Sequence, residues 1–239
     1  MQIHISKNHE ELSDFTAQYL VDFIKNKPNA TLVLTSGDTP KLAYQKMAVL
    51  GKDLDFSQVT FIGLDEWIGI PPESEGSCRY IVEENLLKPL QIPSQNYTFF
   101  DGLSDNLASE CTRIDQLIFE KGGLDLIIVG IGLNGHIGLN EPHSSFENYC
   151  HVSDLEEITI SVGQKYFTQA TPLTQGITVG LKHLLEAQIA ILLASGSKKA
   201  DIIKRTITEE ISEVLPSTVF QKHHNALLFL DEEAAIYTK

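Results

Sequence analysis

The chain has 239 residues, 42% of them hydrophobic, a formal net charge of -14 and a mean hydropathy of -0.05. That length suits one sizeable α/β domain spanning 1–239, and so acidic a balance argues against nucleic-acid partners. No apolar run approaches the roughly 20 residues of a membrane span. The start, MQIHISKNHEEL, lacks the apolar core of a signal peptide, and the three cysteines form no CxxC pair, which reads as free thiols in a reducing cytoplasm.

In chain order, Gln2–Ser6 alternates and reads as a short edge strand. His9–Asn26 carries apolar residues at helical spacing and stops at Lys27-Pro28-Asn29. Thr31–Leu34 is a buried strand. It runs into Thr35-Ser36-Gly37-Asp38-Thr39-Pro40 and a helix through Leu50, with Thr39 as its expected cap and Pro40 in its first turn. A strand, loop and helix start of this kind offers backbone N–H groups to an anion, although the same residues also make an ordinary capped turn. Val59–Leu64 is a second buried strand, with Asp65, Glu66 and Trp67 in the loop beyond it. Arg79–Leu90 reads as a helix, and Asp105–Lys121 as a long amphipathic one stopped by Gly122-Gly123. Cys150–Leu155 and Ile158–Val162 read as short strands, and Ile177–Leu181 as the start of a helix. Ala190–Leu193 and Ala226–Leu230 are strands, with a helix opening at Ser195–Ala200 between them and the tail beginning at Asp231. Strands alternating with amphipathic helices specify a three-layer α/β fold: a mostly parallel, Rossmann-like sheet with helices on both faces.

The most informative stretch is Leu124–Pro142, LDLIIVGIGLNGHIGLNEP. An apolar run empties into a glycine-rich loop carrying Asn134, His136, Asn140 and Glu141. In open α/β sheets, loops at the carboxyl ends of strands hold the ligand. Taken alone, the residues leave several readings open. His136 and Glu141 form a plain structural pair, or join His143 as metal ligands, although no standard zinc spacing is present. A dinucleotide loop from Gly130 to Gly135 is a weak match.

GIGLNGHIGLNEP resembles the active-site loop of the glucosamine-6-phosphate deaminase family. The resemblance extends to TSGDTP (35–40), LDEW (64–67) and GSKKA (196–200), and in order and spacing covers nearly the whole chain. The related 6-phosphogluconolactonases carry an Asp-Gly-His-Thr-Ala-Ser loop and an Asp-Glu-Arg in place of these. The resemblance implies conversion of a 2-amino-2-deoxyhexose 6-phosphate to a ketose 6-phosphate and ammonia. It implies Asp65 as the carbon base and His136 as the ring-opening acid–base, with Glu141 orienting the imidazole and Asn134 standing where some members carry Asp. It further implies phosphate binding by the Ser36, Gly37, Asp38 and Thr39 loop, Lys199, and Lys165 in place of an arginine. Asp38 departs from the small residue usual there. A carboxylate beside a phosphate must turn away or meet a cation.

No metal or organic cofactor is implied. KGGLDL, DEW, Gly76-Ser77-Cys78 and PLTQGITVGLKHLL look like the galactosamine-6-phosphate branch, giving tagatose 6-phosphate. Glucosamine 6-phosphate going to fructose 6-phosphate is the alternative substrate reading. A lactonase and a non-catalytic sugar-phosphate sensor stand behind it. The chain lacks the longer tail of the allosteric hexameric members, so a monomer or small homo-oligomer is expected, with a phosphorylated aminosugar as partner and neither nucleic acid nor membrane.

Overall fold

The computed structural model describes residues 1–238. Its main sheet has seven strands, β1 (Gln2–Ser6), β2 (Thr31–Leu34), β3 (Thr60–Gly63), β5 (Tyr97–Thr98), β6 (Leu126–Val129), β9 (Ile189–Ala194) and β10 (Ala226–Asp231), in the order β1-β10-β9-β6-β2-β3-β5. Every neighbouring pair is parallel. A second, three-stranded antiparallel sheet holds β4 (Asp65–Trp67), β7 (His151–Asp154) and β8 (Gln175–Thr178), in the order β4-β8-β7. The helices are α1 (His9–Asn26), α2 (Asp38–Leu50), α3 (Cys78–Val82), α4 (Leu107–Glu120), α5 (Glu157–Gly163), α6 (Leu181–Glu186) and α7 (Ala200–Thr208). This is the expected mostly parallel α/β architecture. No helix among the described residues is long and apolar enough to cross a membrane.

Strands buried on both faces need apolar residues at every position. β2, TLVL, and β6, LIIV, are buried throughout. Their alternate side chains feed two cores. Leu126 and Ile128 pack with α1 and α2, whereas Ile127 and Val129 pack with α4, α6 and α7. The period of two thus separates the layers above and below the sheet.

Beyond β2 the chain steps outward to β3 and β5; from β6 it steps the other way, to β9 and β10. The strand order reverses between β2 and β6, and a crevice opens there at the carboxyl ends. Thr35–Thr39 leaves β2 and Gly130–His136 leaves β6, so both suspected loops meet at this switch point.

Several sequence expectations are corrected. Ile158–Val162 is helical, within α5. Its β-branched alternation suggested a strand, but Thr159 and Gly163, one turn apart, are buried, and Ile160 packs on the cluster of Trp67 and Leu173, so tertiary context overrides local preference. Ile177 and Thr178 belong to β8, and α6 starts only at Leu181, after Gly180, where a side chain would collide with the Tyr149 carbonyl at 2.0 Å. Asp65–Trp67 is a strand of the second sheet rather than a loop. The helix expected over Arg79–Leu90 is α3 followed by a π-helical turn, Glu83–Leu87. The cap of α2 is Gly37, at φ 107°, instead of Thr39, which sits inside the helix.

Asp231 closes β10 instead of opening a tail. Its buried carboxylate accepts from Gly196 N at 3.0 Å, Ala234 N at 2.8 Å and the Ser195 hydroxyl, pinning the turn that leads to Lys199. Asp231→Ala strands these donors. It is expected to lower stability by about 3 kcal/mol, the upper end for orphaned buried groups, read as a lower urea midpoint at unchanged slope.

Candidate active site

The crevice is lined by Thr35–Pro40, Asp65, Trp67, Cys78, Gly130–Leu133, His136, Thr159, Lys165, Tyr166 and Lys199, among others. One wall is the start of α2. Gly37 provides no side-chain cap, so the first N–H groups of this 13-residue helix stay open to an anion. A side chain at Gly37 would meet the Tyr166 hydroxyl at 3.1 Å besides opposing the positive φ.

Asp38, in the first turn of α2, meets a cation: Lys165 Nζ is 2.6 Å from its carboxylate. Burial works against the Lys165 charge, but the bond to Asp38 wins and raises its pKa. Lys199 Nζ donates to the Ile131 carbonyl at 2.5 Å. Burial, reinforced by the like charge of Lys165, lowers the Lys199 ammonium to about 8. Against the chain's large negative charge the crevice thus sets a helix start and the Lys199 ammonium, with Lys165 already paired to Asp38.

Across the crevice, two adjacent acids have different surroundings. Glu66 is held by four donors: Trp67 N at 2.9 Å, Ser77 Oγ at 2.7 Å, Cys78 N at 3.0 Å and Arg79 N at 3.0 Å. It anchors α3 to β4. Asp65 is buried, and its Oδ1 has no partner. Desolvation raises its carboxyl to about 7; the neighbouring Cys78 thiol pulls downward and the Glu66 charge adds to the rise. A carboxyl that gains and loses its proton near neutrality is suited to general-base work.

His136 lies on the loop after β6. A side chain at Gly132 would overlap its ring at 2.3 Å, so Gly132 makes room for the imidazole. Its Nδ1 is 3.0 Å from Thr159 Oγ1 and 3.5 Å from Glu141 Oε2, which leaves Nε2 for the crevice. Burial would raise the Glu141 carboxyl, yet the contacts from His136, Thr159 and Asn134 hold it below its ordinary value. Asn134 does not line the crevice. Its Nδ2 donates to Glu141 Oε2 at 2.8 Å and its Oδ1 accepts from His136 N at 3.2 Å, so it stands behind the histidine as a positioning group. His136, Glu141 and His143 are not gathered into a ligand cluster; the only such trio among the described residues lies elsewhere. His143 is drawn off by a bond from its backbone N to the Glu213 carbonyl at 2.7 Å.

Sequence reasoning missed Thr159, because the strand reading of Ile158–Val162 turned no face toward the crevice, and Tyr166, although Lys165 beside it was a candidate. It also gave Cys78 no place in the site, although a small, apolar-tolerant residue twelve positions after paired acids could have signalled a pocket wall.

The family described as glucosamine-6-phosphate isomerases/6-phosphogluconolactonase matches residues 6–229. A glucosamine-6-phosphate deaminase of Thermoanaerobacter sp. (strain X514) is 38% identical over 98% of this chain and 94% of its own. A putative deaminase, AgaI, of Escherichia coli (strain K12) is 36% identical over 94% of this chain and 90% of its own. Among solved structures, a monomeric glucosamine-6-phosphate deaminase described as the missing link of the NagB superfamily superposes with a TM-score of 0.95 at 31% identity, over 99% of this chain and 100% of that one. The chain belongs to the glucosamine-6-phosphate isomerase/6-phosphogluconolactonase family.

Proposed function

We propose that this enzyme isomerises and deaminates an aminosugar 6-phosphate, releasing ammonia, with galactosamine 6-phosphate as substrate and tagatose 6-phosphate as product. The observation that carries the reading is Asp65, a buried carboxyl at about 7 on the same crevice as His136 and Lys199. A lactonase needs no base for a carbon acid, and a sensor needs no base at all.

The phosphate docks on the open start of α2, with Lys199 and Lys165 as counter-charges. Asp38 holds Lys165 beside that position and shares it when the dianion arrives. His136 moves a proton between the O1 hydroxyl and the ring oxygen to open the pyranose; Glu141, Thr159 and Asn134 fix its orientation. Asp65 then takes the C2 proton and returns it to C1 through an enolamine. The resulting C2 imine is hydrolysed to the ketose and ammonia. The C1 aldehyde, freed by ring opening, takes up the electron pair as C2 loses its proton, and the nitrogen lone pair supplies one as C1 gains it, so O1 ends protonated, C2 ends as the imine, and no metal or organic cofactor is called for.

The galactosamine reading is supported by KGGLDL, DEW, Gly76-Ser77-Cys78 and PLTQGITVGLKHLL. A second reading, glucosamine 6-phosphate to fructose 6-phosphate, is favoured by the names of several relatives of this chain. Ammonia release measured side by side on both sugars tests the pair. A higher kcat/KM on galactosamine 6-phosphate is expected; the reverse order selects the second reading, and no ammonia from either defeats both.

The two shifted groups predict the pH profile. Asp65 works as carboxylate, so activity is lost as pH falls through about 7. Lys199 works as ammonium, so phosphate binding is lost as pH rises through about 8. The expected kcat/KM profile is a narrow bell between these limbs. In Lys199→Arg, whose charge does not titrate in this range, the alkaline limb should move to higher pH while the acid limb stays. An acid limb near the ordinary carboxylate range would contradict the role of Asp65.

A further inference from the structure

Asp115 on α4, Cys150 just before β7, and His183 on α6 bring their ligand atoms within 4.8 Å of one another. None of the three lines the crevice. His183 is 2% exposed, and its ring packs against Tyr149 and Phe119 at centroid distances of 4.7 and 5.5 Å. The Asp115 carboxylate gathers every donor present. Its Oδ1 faces His183 Nε2 at 2.8 Å and accepts from Cys150 N at 3.0 Å, and the Cys150 thiol lies against the same carboxyl. Cys111, one helical turn before Asp115, places a second thiol beside Cys150.

We propose that this trio is a binding site for a zinc-class divalent cation, separate from the active site and stabilising rather than catalytic. Thiolate, imidazole and carboxylate together form a borderline-soft donor set of the kind zinc takes. The protons aimed at Asp115 occupy the place of the ion. On binding, the Cys150 thiol gives up its proton to solvent, the His183 proton moves from Nε2 to Nδ1, and Asp115 already has a lone pair free. One proton therefore leaves per ion bound. Zinc–ligand bonds of about 2.0–2.3 Å require donor atoms roughly 3.3 Å apart, so Asp115 must retreat by about half an ångström from His183. Its side chain, 19% exposed, has room to do so, and the same opening admits a water as fourth ligand.

The three donors come from elements separated by 35 and 33 residues, which is why no sequence motif announces them. An ion there ties α4 to α6 around β7 and β8. Thr178 of β8 pairs with His151 on one side and with Asp65 on the other, so the site braces the sheet that carries the acid. Chelation should therefore lower the melting temperature without stopping ammonia release at a temperature where the protein remains folded.

Cobalt(II) titrated into the metal-free protein, with a non-thiol reductant present, tests the assignment. The expected result is one ion per chain with a thiolate-to-cobalt charge-transfer band. That band should vanish in Cys150→Ser, weaken in His183→Gln and persist in His136→Gln. Zinc at about a hundred times its Kd should raise the wild-type melting temperature by about 5–10 °C and leave Cys150→Ser unmoved. The wild-type spectrum decides whether a thiolate binds metal even where a variant folds poorly. No band and no shift in the wild type would overturn the proposal, as would a band that survives Cys150→Ser or disappears in His136→Gln.

Discussion

One backbone residue joins the two sheets. Leu64 N donates to the Leu34 carbonyl of the parallel sheet at 2.9 Å, and Leu64 O accepts from Val179 N, just beyond β8, at 2.8 Å. Buried amide groups must find partners, and here the two ends of one residue find them in different layers. The chain is thereby turned out of the main sheet immediately after β3, and the next residue, Asp65, enters the crevice at the switch point. The position of Asp65 is consequently a property of both sheets. Thr178 reinforces it: its backbone pairs with Asp65, and its hydroxyl accepts from Leu139 N, on the loop that carries His136, at 3.2 Å.

Burial separates the roles of the two neighbouring acids. Burial raises the Glu66 carboxyl too, against the pull of its four donors, and those donors fix it as a brace under α3. Asp65, raised to about 7, keeps an oxygen without a partner and lines the crevice. The same contrast holds among the lysines. Lys165 has a carboxylate partner that raises its pKa, whereas Lys199 has only a carbonyl and sits deeper, so its charge is the more easily lost. These are environments rather than residue types, the usual way in which like groups acquire unlike functions.

Much of this was legible in the sequence because it rests on short-range patterns. β2, β6 and β9 are continuous apolar runs, since parallel strands have no solvent face to mark. Gly122 and Gly123 stop α4 at positive φ, as their order suggested. What escaped depends on partners distant in the chain. β4 is three residues, two of them acidic, and only its pairing with β8 makes it a strand. α5 is β-branched, and only the packing of one face on Trp67 and Leu173 makes it a helix. Asp38 demanded a cation, but that Lys165, 127 positions later, would supply it is a tertiary fact. The carboxylate, imidazole and thiol outside the crevice carried no spacing signal whatever.

In the proposed reaction His136 opens the ring and Asp65 handles the carbon-bound proton. This division of labour is tested by giving Asp65→Asn and His136→Gln two substrates, the closed aminosugar phosphate and an open-chain analogue, in deuterated water. Asp65→Asn should be slowed about 10²–10⁴-fold on both and should cease exchanging the C2 proton with solvent. His136→Gln should be slowed only on the closed ring and should still exchange that proton in the open chain. Equal impairment of His136→Gln on both substrates would contradict the account, because His136 would then act in the proton transfer at carbon or merely hold its loop together.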